Sequence, residues 1–124
     1  ELIMVIVILG ILATVAIPKF VNLTTEARIS ATKGGLGAMR SAVAIEYAKS
    51  ATSTSGAAAF PSSITTAYFA DSLIPKNALN NSTSVGVVGS APSGTATSTN
   101  GWWYISASGR VGAYSDGTQD ASEW

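Results

Sequence analysis

Apolar positions are concentrated at the start of the chain. Leu2 to Ile17 reads LIMVIVILGILATVAI, sixteen residues with no charge and a single hydroxyl, followed by Pro18-Lys19. As an α-helix at about 1.5 Å per residue this run extends about 24 Å, somewhat less than the ~30 Å hydrocarbon thickness of a bilayer. A helix that is apolar on every side has to be covered by other groups. The alternative is a core helix inside an ordinary globule, but the rest of the chain is too short to surround it easily. The pattern therefore predicts a helix that projects.

Beyond Pro18 the apolar positions recur at steps of three and four, which is typical of an amphipathic helix. Three glycines, Gly34, Gly35 and Gly37, oppose this helix by about 1 kcal/mol each relative to Ala. We predict one continuous helix over about residues 1–54, weakened between Gly10 and Pro18. The predicted stripe consists of Phe20, Leu23, Ala27, Ile29, Thr32, Leu36, Met39, Val43 and Tyr47.

The second half of the chain predicts a small antiparallel sheet. Residues 83–88 alternate as a short strand does, and 89–100 is a loop rich in Ser, Thr, Gly and Pro. Residues 102–107 and 110–114 then form a hairpin signal around Ser108-Gly109. The predicted fold class is α+β, with the helix and the sheet segregated in sequence.

We divide the chain into two parts on this pattern. Residues 1–24 are the apolar helix, which we interpret as membrane anchor and filament core. Residues 25–124 are a globular head, made of the amphipathic helix half (25–54), a loop (55–82), and the sheet with the tail (83–124).

Composition excludes several function classes. The chain has 7 Lys+Arg, 7 Asp+Glu and no His, so it lacks the basic face of a nucleic-acid binder. It also has no Cys, which removes disulfides and thiolate chemistry. Without His, Cys or a phosphate-binding glycine loop, an enzyme is the least supported class, and we expect no catalytic residues.

Glu1 is the most informative charge. An unpaired carboxylate next to hydrocarbon costs at least about 2.5–3.5 kcal/mol, and the first cation along the chain is Lys19. A partner from another molecule, such as the amine of a second copy, would offset this cost. The alternative is that Glu1 is an ordinary solvated residue.

The segment ELIMVIVILGILATVAIPKF, Glu1 to Phe20, resembles the N-terminal segment of type IV pilins and of the pseudopilins of type II secretion. Residues 20–51 look most like mannose-sensitive haemagglutinin-type (type IVa) pilins. From Gly56 onward only the general plan is similar. Two family features are missing: an aromatic-led apolar tetrad before the glutamate, and a C-terminal Cys pair. With the tetrad the apolar run reaches about 20 residues, the membrane-spanning length. The leader and N-terminal methylation of the family stay untested by this sequence.

The resemblance assigns roles to matching positions. Glu1 matches the glutamate that pairs with the neighbouring subunit's amine during assembly. Gly10 and Pro18 match the residues between which family filaments often unwind, and proline does weaken helices by removing a backbone donor. The apolar residues expected to pack in the filament core are Leu2, Ile3, Val5, Ile6, Leu9, Leu12 and Ile17.

Two further sites are weaker. Major pseudopilins resembling this chain bind Ca²⁺ in a C-terminal loop, where this chain has Asp116, Asp120 and Glu123; these lack EF-hand spacing, and otherwise we expect no cofactor. Trp102 and Trp103 are a possible surface for glycans, although aromatic strand residues are more often core. Adjacent strand residues face opposite ways, so we expect one of the two to be exposed or to meet a neighbour.

The sequence thus predicts a structural subunit, a major pilin that polymerises into an extracellular type IV pilus for adhesion, motility or surface attachment. Its expected partners are other copies of itself, the inner membrane before assembly, and the pilus assembly machinery. One alternative is a pseudopilin of a type II secretion system. Another is a membrane-anchored monomeric binding module that uses Trp102 or Trp103.

Overall fold

A computed structural model describes residues 1–53, 56–122 and 124. One long helix, α1 (Leu2–Thr52), is followed by a 3-10 turn at Thr66–Tyr68. Three short strands come next: β1 (Val85–Val87), β2 (Trp102–Ile105) and β3 (Arg110–Ala113). The predicted α+β class, with the helix first and the sheet second, is confirmed.

Helix α1 is unbroken through Gly10 and Pro18. The predicted weakness there is not expressed as unwinding in the single subunit, even though Pro18 leaves the Thr14 carbonyl without its usual N–H donor. The Thr14 hydroxyl donates back to the Ile11 carbonyl at 2.7 Å. The helix ends at Thr52, and the predicted last residue, 54, lies outside the described residues.

The sheet has the order β1-β2-β3 and is mixed. Strands β2 and β3 pair antiparallel, as the hairpin signal predicts, with Tyr104 opposite Val111. Strand β1 pairs parallel to β2, with Val85 opposite Trp102, so the prediction of a wholly antiparallel sheet is wrong. The reason is the long connection over residues 88–101, since a parallel crossover needs about a dozen residues. The predicted hydroxyl-rich loop provides most of this crossover.

The main core lies between α1 and one face of the sheet. The helix contributes Leu36, Met39 and Val43 at steps of three and four, and the sheet contributes alternate residues: Trp102, Tyr104, Val111 and Ala113. This confirms the central part of the predicted stripe. Phe20 and Leu23 are 70% and 65% exposed, because the small sheet covers only the second half of the helix.

The opposite face of the sheet has a second, smaller cluster. Trp103 and Ile105 pack there with Tyr114, against Val88 and Ala96 from the crossover. Trp102 is fully buried and Trp103 is 9% exposed, so the expectation that one of them is exposed is wrong. The two indoles do face opposite ways, but the crossover covers the outer face. Neither tryptophan is therefore the exposed aromatic surface that was considered for glycans.

Gly112 faces Trp103 across the hairpin, and the indole occupies the space where a side chain would stand. A Cβ added at Gly112 would lie 2.1 Å from Cζ2 of Trp103. We expect Gly112→Ala to lower the free energy of unfolding by about 1–3 kcal/mol, because the rigid ring has to shift. Urea unfolding followed by tryptophan fluorescence measures this change.

The matched control for this substitution is Gly37→Ala. Gly37 lies in α1 with nothing within 4 Å of an added Cβ. Alanine there is expected to leave stability unchanged or to raise it by up to about 1 kcal/mol. Equal effects of the two substitutions would contradict the packing of Trp103 on Gly112.

Candidate functional site

The N-terminal part of α1 has an uncovered apolar surface. All seven predicted packing residues, Leu2, Ile3, Val5, Ile6, Leu9, Leu12 and Ile17, are between 53% and 77% exposed. Intervening residues such as Ile8 and Ile11 are exposed as well, at 50% and 63%. The exposed surface therefore surrounds the helix on all sides, which is different from the one-sided stripe of a helix that packs on its own domain.

Within the described part of the chain, α1 is the one helix long and apolar enough to cross a membrane. Its most apolar window has none of its surface buried inside the subunit. The same property distinguishes it from a core helix of a soluble protein, which is mostly buried. A long apolar helix of this kind can anchor in a membrane.

Glu1 stands at the head of this helix as its N-terminal cap residue. Its carbonyl accepts the Val5 N–H at 3.3 Å, but its side chain makes no capping hydrogen bond. Across residues 1–53, 56–122 and 124 the one salt bridge joins Lys49 to Glu46, so the Glu1 carboxylate has no cationic partner there. Lys19 is eighteen residues away, or about 27 Å along a helix. A partner for Glu1 would come from another molecule.

The head holds the helix through Arg28. Its Nε donates to the Ala78 carbonyl at 2.8 Å, and its Nη2 donates to the Leu79 carbonyl at 2.7 Å. One guanidinium thus binds two successive carbonyls of the loop that precedes the sheet. Because a guanidinium is planar, this pair of contacts fixes direction as well as distance.

Asn77 continues the same contact inside the head and is fully buried. Its Nδ2 donates to the carbonyls of Gly101 and Tyr114, at 2.6 and 2.8 Å. Its Oδ1 accepts the Leu79 N–H at 2.9 Å and lies 3.2 Å from the Thr32 hydroxyl. One side chain therefore joins the helix, the loop and both ends of the β-hairpin. We call Arg28, Thr32 and Asn77 the polar clamp.

The polar clamp was missed in the sequence. Arg28 has the ordinary pattern of a solvated helix residue, and Asn77 stands in a loop without periodicity. A hydroxyl at stripe position 32 was the available signal, since a buried polar group needs a partner.

The candidate Ca²⁺ ligands are engaged locally. The Thr118 hydroxyl donates to Oδ1 of Asp116, as does the Thr118 N–H at 2.9 Å, and these bonds lower the pKa of Asp116 from its ordinary value. Hydrogen bonding from Ser122 likewise lowers the pKa of Asp120. Glu123 lies outside the described residues. Among those that are described, no three acidic side chains gather as a metal site would require.

Comparison of the chain with known protein families, with curated proteins and with solved structures found no match in any of the three. The functional proposal therefore depends on the uncovered helix and on the clamp that orients it.

Proposed function

We propose that this chain is a structural subunit that polymerises into a type IV pilus-like filament. The observation that carries the proposal is the uncovered apolar surface over residues 2–23 on a head that is otherwise packed and hydrogen-bonded. Such a surface is not stable in water, since each buried Leu, Ile or Val side chain contributes about 1.5–3 kcal/mol. It requires lipid in one state of the protein and other protein in another.

The proposed mechanism uses one surface twice. Before assembly, α1 lies in the inner membrane and the head lies outside it. During assembly the helix leaves lipid and packs against the helices of other copies in an extracellular filament. Since lipid and protein side chains are similarly apolar, this transfer depends on close packing and on polar contacts rather than on the hydrophobic effect. No covalent link between subunits is needed.

Glu1 would set the register of this packing. A carboxylate buried without a partner is strongly unfavourable, so a subunit docked out of register is penalised. The amine of a neighbouring copy is a suitable partner. The polar clamp supports the same mechanism, because it transmits the position of the head to the helix through Arg28.

Electron microscopy of the full chain tests the proposal. We expect cells that express the chain with a pilus assembly machinery to carry filaments built from it. Abundant filaments that extend from the cell favour a pilus. Short structures confined to the envelope, with Ca²⁺-dependent thermal stability of the subunit, favour the pseudopilin alternative. A protein that stays monomeric in the membrane at every concentration contradicts both.

Glu1→Ala is expected to leave the head folded and to reduce filament formation strongly. The substitution removes the charge that selects register and does not touch the sheet. Filament yield from a pilin-null host, measured by shearing and electron microscopy, gives the result. Glu26→Ala is the matched control, because Glu26 is also an exposed glutamate of α1. Filaments of normal abundance from the Glu1 variant would contradict the role of this residue.

A further inference from the structure

A cavity of about 280 Å³ opens beside β3, on the head and away from the apolar segment of α1. Strand β3 is an outer strand of the sheet, so residues from both faces of the sheet reach the cavity. Arg40 of the helix forms one wall, and Trp103 and Arg110 form another. Ser122 and Trp124 of the tail complete it.

Two guanidinium groups meet at this cavity. Arg40 uses Nη2 to donate to the carbonyls of Val111 and Trp124, which fixes the side chain. Arg110 is exposed, and its guanidinium carbon lies 5.9 Å from the centre of the Trp103 ring. Neither arginine forms a salt bridge with any described residue. Most of their ten N–H donors therefore remain open to a ligand, and arginine pairs well with carboxylates.

The acidic groups of the tail do not neutralise this charge in the part of the chain that the structure describes. Asp120 is the nearest described acid in sequence to Ser122, and its Oδ1 accepts the Ser122 N–H at 2.9 Å. A third cation stands close by, since Lys33 Nζ lies 5.2 Å from the centre of the Trp124 ring. The cavity thus has a basic wall in a chain whose net charge is zero.

Two indoles and one hydroxyl give the remaining wall a different chemistry. Indole rings offer flat apolar surface against which the C–H groups of a sugar ring pack, and Ser122 adds a hydroxyl. The volume is slightly below the range of about 300–1,000 Å³ that is usual for drug-sized ligands. It suits one sugar ring. We propose that the cavity binds an acidic monosaccharide unit, with the carboxylate on Arg40 and Arg110 and the ring against the tryptophans.

Titration of the full chain in detergent micelles with glucuronate tests this proposal. The chain contains three tryptophans, so its ¹⁵N-labelled indoles give three N–H signals. Glucuronate at millimolar concentration is expected to shift the signals of Trp103 and Trp124 in a saturable way. Trp102 is an internal control, because its Nε1 donates to the Pro75 carbonyl inside the core at 2.7 Å and should not respond.

Three probes separate the parts of the ligand. Glucose lacks the carboxylate, acetate lacks the ring, and inorganic phosphate is an anion of another class. Each is expected to bind at least about tenfold more weakly than glucuronate. Equal binding of acetate or phosphate would make this a plain anion site and overturn the sugar assignment. Equal binding of glucose would overturn the role of the arginines.

Arg110→Gln is the decisive variant. Arg110 makes no hydrogen bond to the described residues, so the head should stay folded, with the Trp102 signal unchanged. Glucuronate affinity is expected to fall by about tenfold or more. Lys76→Gln, which removes an exposed cation that does not line the cavity, is expected to bind normally. Glu123→Gln is expected to bind at least as tightly as the unmodified chain. Unchanged affinity in the Arg110 variant, or loss of binding in either of the other two, would overturn the proposal.

Discussion

Asn77→Ala is expected to lower the free energy of unfolding of the head by about 3–5 kcal/mol. The substitution removes both donors to the Gly101 and Tyr114 carbonyls and the acceptor for the Leu79 N–H. Each buried backbone group left without a partner costs about 1–3 kcal/mol. Asn77 is fully buried, so water does not easily replace the lost amide. Thermal unfolding followed by near-ultraviolet circular dichroism measures the effect.

The control is Asn22→Ala, since Asn22 is an exposed amide on the same chain and lies in the apolar part of α1. It should change stability by less than about 0.5 kcal/mol. Asn77→Asp adds a second comparison. It keeps the shape of the side chain but replaces the two donors with an acceptor, so it should destabilise the head through the carbonyls it then faces. If the alanine variant unfolds within 1 kcal/mol of the unmodified chain, the clamp is not a main source of stability.

Local patterns were enough to predict the elements of this fold. The apolar run and the three-four period predict α1, and the Ser108-Gly109 turn predicts the hairpin of β2 and β3. Both signals lie within a few residues of the structure they specify. Gly109 has a φ of +69° at the hairpin turn, where glycine is favoured.

Contacts between distant segments could not be predicted in this way. The parallel pairing of β1 depends on how the crossover returns, and neither strand encodes that direction. The burial of Trp103 depends on Val88 and Ala96, which come from the crossover. Thr32 and Asn77 meet across 45 residues of sequence, and their hydrogen bond has no signal in either local pattern.

The functional prediction has the same division. The helix that projects follows from the sequence, because no chain of this length could cover it, and the structure shows it uncovered. The cavity beside β3 does not follow, since Arg40, Arg110 and Ser122 come from three separate segments. Both features lie at places where the head leaves chemistry unused.

Leu12→Asp is expected to abolish filaments while leaving the head folded. Leu12 is 60% exposed and lies within the apolar segment, with no head residue to lose contact with. A charged side chain near the centre of a membrane-spanning helix costs at least about 2.5–3.5 kcal/mol during insertion. In a filament the same carboxylate would be buried among apolar side chains of other copies. Membrane fractionation and electron microscopy measure the two effects.

The head offers a matched control in Leu73, a leucine that is 66% exposed. Leu73→Asp makes the same chemical change at similar exposure, so a general effect of lost surface leucine would appear in both variants. We expect the Leu73 variant to insert into the membrane and to assemble normally. Normal filaments from the Leu12 variant would show that the apolar segment is not the filament core, and absent filaments from the Leu73 variant would place an assembly contact on the head. Retention of membrane insertion by the Leu12 variant without filaments would separate anchoring from packing, because one carboxylate is tolerated more readily where lipid and water adapt to it than in a fixed protein core.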